Sequence, residues 1–146
     1  LQEGLSMNKK NTKKLNDDFP FLRPKGGLMR SLMYFGFMCD DGWFKLIYQL
    51  CKDIQRVIDN NPDHKLDDFI VIEVKEKFGG LRFYAGSYNK EIGELIDKAE
   101  HKSEHICEIC GKRGSLSVHG GWYKTVCPYH RRTRGYVKVK PWRKVQ

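Results

Sequence analysis

Four residues near the C-terminus restrict the fold of this chain more than any other feature: Cys107, Cys110, Cys127 and His130. They form a C-x2-C-x16-C-x2-H pattern, in which two close pairs flank a stretch that can fold as a hairpin. Structural zinc takes four Cys or His ligands at tetrahedral corners, and two such pairs supply them. Because protein atoms fill all four positions, none remains for a catalytic water. The pattern therefore predicts a structural Zn²⁺ site, whose role is to hold a fold.

The fourth ligand position has more than one candidate, since His105 and His119 also lie near these cysteines. We rank His130 first, because the segment from Cys127 to His130 (CPYH) can place both ligands on the first turn of a short helix. His119, at the end of a predicted strand, is the main competitor.

Disulfide bonds are the alternative use of the cysteines. The chain has five of them, which is an odd number, and Cys107 and Cys110 are closely spaced for a structural bridge. Residues 1–30 contain no continuous apolar stretch of the kind that a secretory leader needs. We therefore expect a reducing, cytoplasmic environment, in which thiolates are available to a metal. No apolar stretch approaches the length of a membrane helix, so we expect no membrane association.

The formal net charge of +9 is concentrated at the two ends of the chain. Residues 131–146 carry seven Lys and Arg and no acid, and residues 1–30 carry seven against three acids. The hundred residues between them are close to neutral, with thirteen basic and fifteen acidic side chains. Basic ends of this kind attract polyanions, such as nucleic acid or an acidic protein surface. They also occur as solvated segments without a partner.

Hydrophobic periodicity predicts two amphipathic helices and one hairpin in the middle of the chain. Asp40 and Asp41 are candidate N-caps for the first helix, which continues to about residue 58 and stops at Asn60-Asn61-Pro62. Strands over 69–78 and 81–85 are joined by Gly79-Gly80, a strong signal for a two-residue turn. On this pairing Ile70, Ile72 and Val74 share one face, with Val71 on the other. The second helix covers about 90–105, with Asn89 or Ser87 as its cap.

The zinc ligands are predicted to be carried by a second hairpin, over 115–119 and 122–126, followed by a short helix. We expect an α+β fold in which two helices pack on a hairpin, with a C-terminal finger of zinc-ribbon or treble-clef type. The expected segments are a disordered basic tail (1–18), an α+β core (19–106), the zinc-binding finger (107–134) and a second basic tail (135–146).

Several blocks of the sequence resemble a family of small zinc-knuckle proteins found in bacteria, phages and prophages. The shared blocks are Gly42-Trp43-Phe44, VKEKFGGLRFY at 74–84, Cys107-x2-Cys110-Gly111, Gly121-Trp122-Tyr123 and Cys127. The family has no assigned chemistry, so the resemblance carries over no catalytic residues. It implies a mobile genetic element as the context. In that context an inhibitor of host defence is expected, of the anti-CRISPR type that binds a Cas nuclease or its nucleic-acid complex.

Two binding functions follow from these features, and an enzyme is the weaker interpretation. As a protein-binding module, the chain would use exposed aromatic and Arg side chains. As a nucleic-acid-binding protein, it would use the basic C-terminal residues for phosphates and the aromatic ones for base stacking. The candidate contact residues are Arg131, Arg132, Arg134, Trp122, Tyr123, Tyr136 and Trp142.

An HNH-type nuclease shares the C-x2-C-G opening but needs a general-base His beside further metal-binding residues. Between the two ligand pairs, His119 stands without a neighbouring Asp or Asn. We therefore predict a non-enzymatic protein.

Overall fold

The computed structural model describes residues 6–140, and within them the chain has an α+β fold, as predicted. Four α-helices lie in this part of the chain: α1 (Lys9–Asp18), α2 (Phe44–Asp59), α3 (Lys90–Ser103) and α4 (Pro128–Thr133). Five strands lie in it as well: β1 (Val71–Lys77), β2 (Gly80–Ala85), β3 (Ser115–His119), β4 (Trp122–Val126) and β5 (Val137–Lys138). They form two antiparallel sheets, β1-β2 and β4-β3-β5. No helix in the described range is long and apolar enough to span a bilayer.

The main core is shared by α2, α3 and the β1–β2 hairpin, in which α2 packs against α3 and α3 packs against β2. Trp43, just before α2, is completely buried, and so are Ile47 and Ile54 on the inner face of that helix. From α3, Ile92 enters the same core. The α3 N-terminus is capped as predicted, because the Asn89 side chain accepts a hydrogen bond from Ile92 N.

The turn of the first hairpin is displaced by one residue from the predicted Gly79-Gly80. Lys77 pairs with Gly80, so the two turn residues are Phe78 and Gly79, with φ of 53° and 83°. Positive φ at both central residues is what a type I′ turn requires. Gly79 and Gly80 correctly predicted a turn in this region. The strand pairing, however, puts Phe78 in the turn with a positive φ, which a residue such as Phe rarely adopts.

The predicted faces of β1 are also wrong, because the strand contains a bulge. Val71 pairs with Ala85 and Glu73 with Tyr84, so β1 holds one extra residue between these pairs. The extra residue shifts the alternation of side chains, and Val71 and Val74 both become fully buried.

Residues 1–18 are predicted to be disordered, and the structure corrects this for 9–18, which form α1. Asn8 caps the helix by accepting a hydrogen bond from Asn11 N at 2.8 Å. Leu15 is completely buried and Met7 is 6 % exposed, so the core begins before the predicted boundary at residue 19. The rest of the predicted tail, residues 1–5, lies outside the described range.

Asp40 and Asp41 do not cap α2. A 3₁₀ turn (Asp41–Trp43) leads into the helix instead, and its N-cap residue makes no side-chain capping bond. Asp41 Oδ1 accepts hydrogen bonds from Asn8 N and from Asn11 Nδ2, both at 3.0 Å. The carboxylate of Asp41 therefore anchors α1.

The second hairpin forms as predicted, with Gly120 and Gly121 in its turn at φ of 53° and 83°. The predicted tail from residue 135 onward needs correction, because Val137 and Lys138 form β5 and pair with β3. Residues 141–146 lie outside the described range.

Candidate metal centre

The side chains of Cys107, Cys110, Cys127 and His130 meet at one point, with all four ligand atoms within 4.8 Å of one another. Individual separations are 3.8 Å between the Cys110 and Cys127 Sγ atoms, and 3.7 Å and 3.3 Å from His130 Nδ1 to the Sγ atoms of Cys107 and Cys127. A tetrahedron with metal–sulfur bonds of about 2.3 Å and metal–nitrogen bonds of about 2.0 Å has edges of roughly 3.5–3.8 Å. The group is therefore close enough to hold one metal ion.

The first ligand pair is formed by a tight loop directly after α3. Gly111 N donates to Cys107 O at 2.9 Å, and Cys107 N donates to Lys112 O at 2.7 Å. Gly111 has φ of 81°, a conformation that glycine adopts without strain. This loop turns both sulfurs toward the same point.

The second ligand pair is formed by the start of α4. Cys127 is the N-cap residue of this helix, and its Sγ accepts a hydrogen bond from His130 N at 3.4 Å. Pro128 occupies the first helical turn, where its lack of an N–H has no cost. His130 is three positions after the N-cap Cys127, so its ring lies beside the Cys127 sulfur.

The protonation behaviour of the ligands favours a bound cation. Desolvation and, to a smaller extent, the adjacent Cys107 and Cys127 sulfurs together raise the pKa of Cys110 to about 11. Desolvation acts in the same direction on Cys127, but N–H donors, above all that of His130, leave its pKa lowered. Three neighbouring thiolates repel one another, and a divalent cation removes that repulsion.

Histidine must be neutral to bind a metal, and the surroundings of His130 favour that form. Desolvation lowers its pKa, and the positive charges of Arg134 and Lys112 act in the same direction.

The two competing histidines lie apart from this group. His119 Nδ1 is 2.7 Å from Gly135 O, and its ring packs against Tyr136 with centroids 5.6 Å apart. His105 is exposed, and its carbonyl oxygen accepts a hydrogen bond from Gly114 N. The ligand group in the described residues is thus Cys₃His, with His130 as its histidine.

A buried charged cluster, which sequence patterns do not reveal, fixes the first ligand loop to the main core. Glu108, between the two cysteines of the loop, is 0 % exposed. Its Oε2 accepts from Asp40 N at 2.9 Å, and its Oε1 accepts from Lys124 Nζ at 3.0 Å. Lys124 Nζ also lies 3.2 Å from Asp40 Oδ2. Burial raises the pKa of Glu108 and of Asp40, while Lys124 opposes that rise in both. These partners are 68 and 16 residues from Glu108, so no local pattern reveals them.

Gly42 and Trp43 form the surface of the core against which the ligand loop packs. Gly42 N donates to Glu108 O at 2.7 Å, and Trp43 Nε1 donates to Ile106 O at 2.9 Å. A Cβ atom on Gly42 would lie 2.2 Å from Cys107 O, closer than any real contact. The absence of a side chain at Gly42 is therefore what lets the loop approach the core.

The candidate contact residues differ in how accessible they are. Trp122 is 69 % exposed and Tyr123 is 41 % exposed, both at the tip of the β3–β4 hairpin. Arg132 and Arg134 are exposed on and just after α4.

Arg131 and Tyr136 are instead tied into the finger. The Arg131 guanidinium donates to Ser115 Oγ at 2.7 Å and to Ser117 Oγ at 3.2 Å. Tyr136 is half-buried and packs against the small core around Cys107, Val126 and Cys127. Trp142 lies outside the described residues.

No protein-family model matches this chain, and neither does any curated protein or any solved structure. The resemblance to phage zinc-knuckle proteins therefore stays a prediction, and function has to be argued from the Cys₃His centre and the surfaces around it.

Proposed function

We propose that this chain is a non-enzymatic binding protein whose C-terminal finger is held in shape by Zn²⁺. The observation that carries the proposal is the Cys₃His group, which supplies four protein ligands at one point. Three thiolates and one imidazole suit zinc better than the hard cations Mg²⁺ and Ca²⁺. A centre with four protein ligands has no open position for a substrate, so its contribution is to folding.

The finger is proposed to be of the treble-clef or zinc-ribbon type. In chain order it consists of a ligand loop, the β3–β4 hairpin and then α4. Cys127 and His130 sit at the start of that helix, which supports the treble-clef variant.

The binding surface of the proposed module is the tip of the β3–β4 hairpin. Trp122 and Tyr123 project from a rigid hairpin and lose little conformational freedom on binding. Exposed aromatic and Arg side chains are the residues that contribute most to protein–protein interfaces. Arg132 and Arg134 add positive charge on the same finger.

The proposed partner is a bacterial host defence complex, including a Cas nuclease bound to its nucleic acid. The resemblance to phage and prophage proteins supports this choice, as does the net charge of +9, which favours a partner with an acidic or nucleic-acid surface. The proposed location is the host cytoplasm.

A pull-down from nuclease-treated bacterial lysate tests the proposed surface. The wild-type chain should retain its partner after digestion, and Trp122→Ala combined with Tyr123→Ala should lose it. Tyr88→Ala is the matched control, because Tyr88 is 51 % exposed but lies before α3, outside the finger. Equal retention by the tip variant and the control would contradict the proposed surface.

Zinc itself is tested by elemental analysis of purified protein, which should give one zinc per chain. Cys107→Ser should release it, because the remaining ligands no longer complete the tetrahedron. Protein without stoichiometric transition metal would overturn the proposal.

Direct nucleic-acid binding by the C-terminal residues is a second candidate, favoured by the exposed, unbridged guanidinium groups of Arg132 and Arg134 within the described residues. Such binding would weaken steeply with added salt and vanish when residues 131–146 are removed. An HNH-type nuclease is less well supported, because His119 Nδ1 already contacts Gly135 O and no described carboxylate bonds its ring.

A further inference from the structure

A cationic cleft lies between the turn of the first hairpin and the finger. Its volume is about 690 Å³, and it is lined by both hairpins, the residues just after α3, α4 and β5. Four of its lining residues are basic: Arg82, Arg113, Arg131 and Lys138. Glu104 is the one acidic residue among the described lining residues.

The four basic side chains of this cleft form no ion pairs within the part of the chain that the structure describes. None of its four basic side chains has a carboxylate within 4.0 Å there, although ion pairs elsewhere, such as Lys124 with Glu108, fall well within that distance. Arg82 Nη1 donates to the backbone oxygen of Leu81, which carries no net charge. The cleft therefore has the electrostatics of an anion-binding site.

Arg131 is held in a fixed position at the side of the cleft. Its Nε donates to Ser117 Oγ at 3.2 Å, and its Nη2 donates to Ser115 Oγ at 2.7 Å and to Val126 O at 3.5 Å. All three acceptors are neutral, and Nη1 donates to no other residue in the described range. A guanidinium held in this way is ready to donate to a phosphate oxygen.

Phe78 stands at the rim of the same cleft, and its position is unusual in two respects. It has φ of 53°, in a region that residues other than Gly and Asn rarely adopt, and its side chain is 70 % exposed. Neither feature serves the core. The positive φ is what the type I′ turn requires at this position, and the exposure leaves the ring free to contact a ligand.

The rim is also rigid. Thr125 Oγ1 donates to Gly79 O at 2.7 Å, and this buried bond ties the first hairpin to β4. A Cβ atom on Gly79 would lie 2.4 Å from Leu116 Cδ1, so the turn sits directly on the finger. The backbone of the Phe78–Gly79 turn is therefore held against the finger that carries Arg131.

We infer that this cleft binds single-stranded nucleic acid, with phosphates at Arg113, Arg131 and Lys138 and one base stacked on Phe78. An exposed ring beside a cationic groove is the combination that proteins use to bind single strands without sequence preference. The inference goes beyond the proposed protein partner and does not depend on it. It also differs from binding by the C-terminal tail, because its residues are in the folded part of the chain.

Fluorescence anisotropy with the zinc-loaded full chain and a labelled oligothymidine of about twelve nucleotides tests the inference. Phe78→Asn should weaken binding by about fivefold or more, since base stacking is lost. The same change should not lower the melting temperature, because Asn tolerates positive φ better than Phe does. A loss of affinity with an intact fold thus separates binding from folding.

The proposed phosphate contacts are tested by a double variant, Arg113→Gln with Lys138→Gln. It should reduce the slope of log affinity against log salt by about 1.4, the loss of two phosphate contacts on a single strand. The matched control is Lys45→Gln with Lys98→Gln, two exposed lysines on α2 and α3 that do not line the cleft. The control should leave the slope unchanged.

Several results would overturn the inference. They are an absence of binding by the wild-type chain, wild-type affinity in Phe78→Asn, or an equal change of slope in the control pair. Full displacement of the strand by inorganic phosphate at an equal concentration of phosphate groups would show a small-anion site instead. Loss of binding on removal of residues 141–146 alone would place the strand on the terminal segment.

Discussion

At the scale of single residues, Gly42 is the position where a minimal change should have the largest effect. A methyl group there would meet Cys107 O at 2.2 Å and Glu108 O at 2.3 Å, and both are backbone atoms that cannot rotate away. Gly42→Ala should therefore lower the free energy of unfolding by about 2–3 kcal/mol, as overpacking of a tight contact does. Denaturant titration of the zinc-loaded protein measures it.

Gly27→Ala is the control for this change, because nothing lies within 4 Å of a Cβ atom at Gly27. Its effect on the free energy of unfolding should stay within about 0.5 kcal/mol. Similar values for the two variants would mean that the ligand loop does not rest on Gly42.

At the scale of secondary-structure elements, α1 is the helix that could not be predicted from the sequence. Its sequence, KKNTKKLNDD, has one large apolar residue, and composition alone favours disorder. That residue, Leu15, is completely buried, so Leu15→Ala should cost about 2–4 kcal/mol of unfolding free energy. Lys10→Ala, on the exposed side, should cost less than about 0.5 kcal/mol. Thermal or urea denaturation compares the two, and equal small effects would mean that α1 is not docked.

The elements that periodicity predicted best are those with many apolar residues at regular spacing. Helices α2 and α3 and both hairpins form in the predicted stretches of the chain, although the turn of the first hairpin is displaced by one residue. The errors lie where a single contact overrides local preference. The bulge in β1 turns Val71 inward, and the pairing of Lys77 with Gly80 moves Phe78 into the turn. Both depend on strand pairing, which no short window of sequence contains.

At the scale of the whole molecule, two separate clusters of buried residues should respond differently to loss of metal. The main core includes Trp43, Ile54 and Val74, whereas the finger core consists of Cys107, Val126 and Cys127. A chelator should remove amide protection from β3 and β4 while α2 keeps most of its own, because ligand binding is the main folding energy of the small cluster. Hydrogen exchange measures this difference.

Re-addition of zinc is the control, and it should restore protection in β3 and β4. Loss of protection spread evenly over both clusters would show that the main core also depends on the metal.

The candidate site could be predicted only in part for the same physical reason. Its four ligands come as two short pairs, each of which is visible in a few consecutive letters of the sequence. The contacts that join this centre to the rest of the molecule, from Glu108 to Lys124 and Asp40, bring together distant residues. The cationic cleft likewise collects Arg82, Arg113 and Lys138 from three separate parts of the chain. Such groupings exist only once the chain has folded.

The resting of the ligand loop on Gly42 and Trp43 has a consequence for biosynthesis. Ribosomes synthesise the chain from its N-terminus, so Gly42 and Trp43 leave the ribosome well before the ligand loop that packs against them. These two residues can then position Cys107 and Cys110 while the second ligand pair is still being made. The proposed metal ion would then bind only after Cys127 and His130 have been made, and metal shortage would leave the finger open.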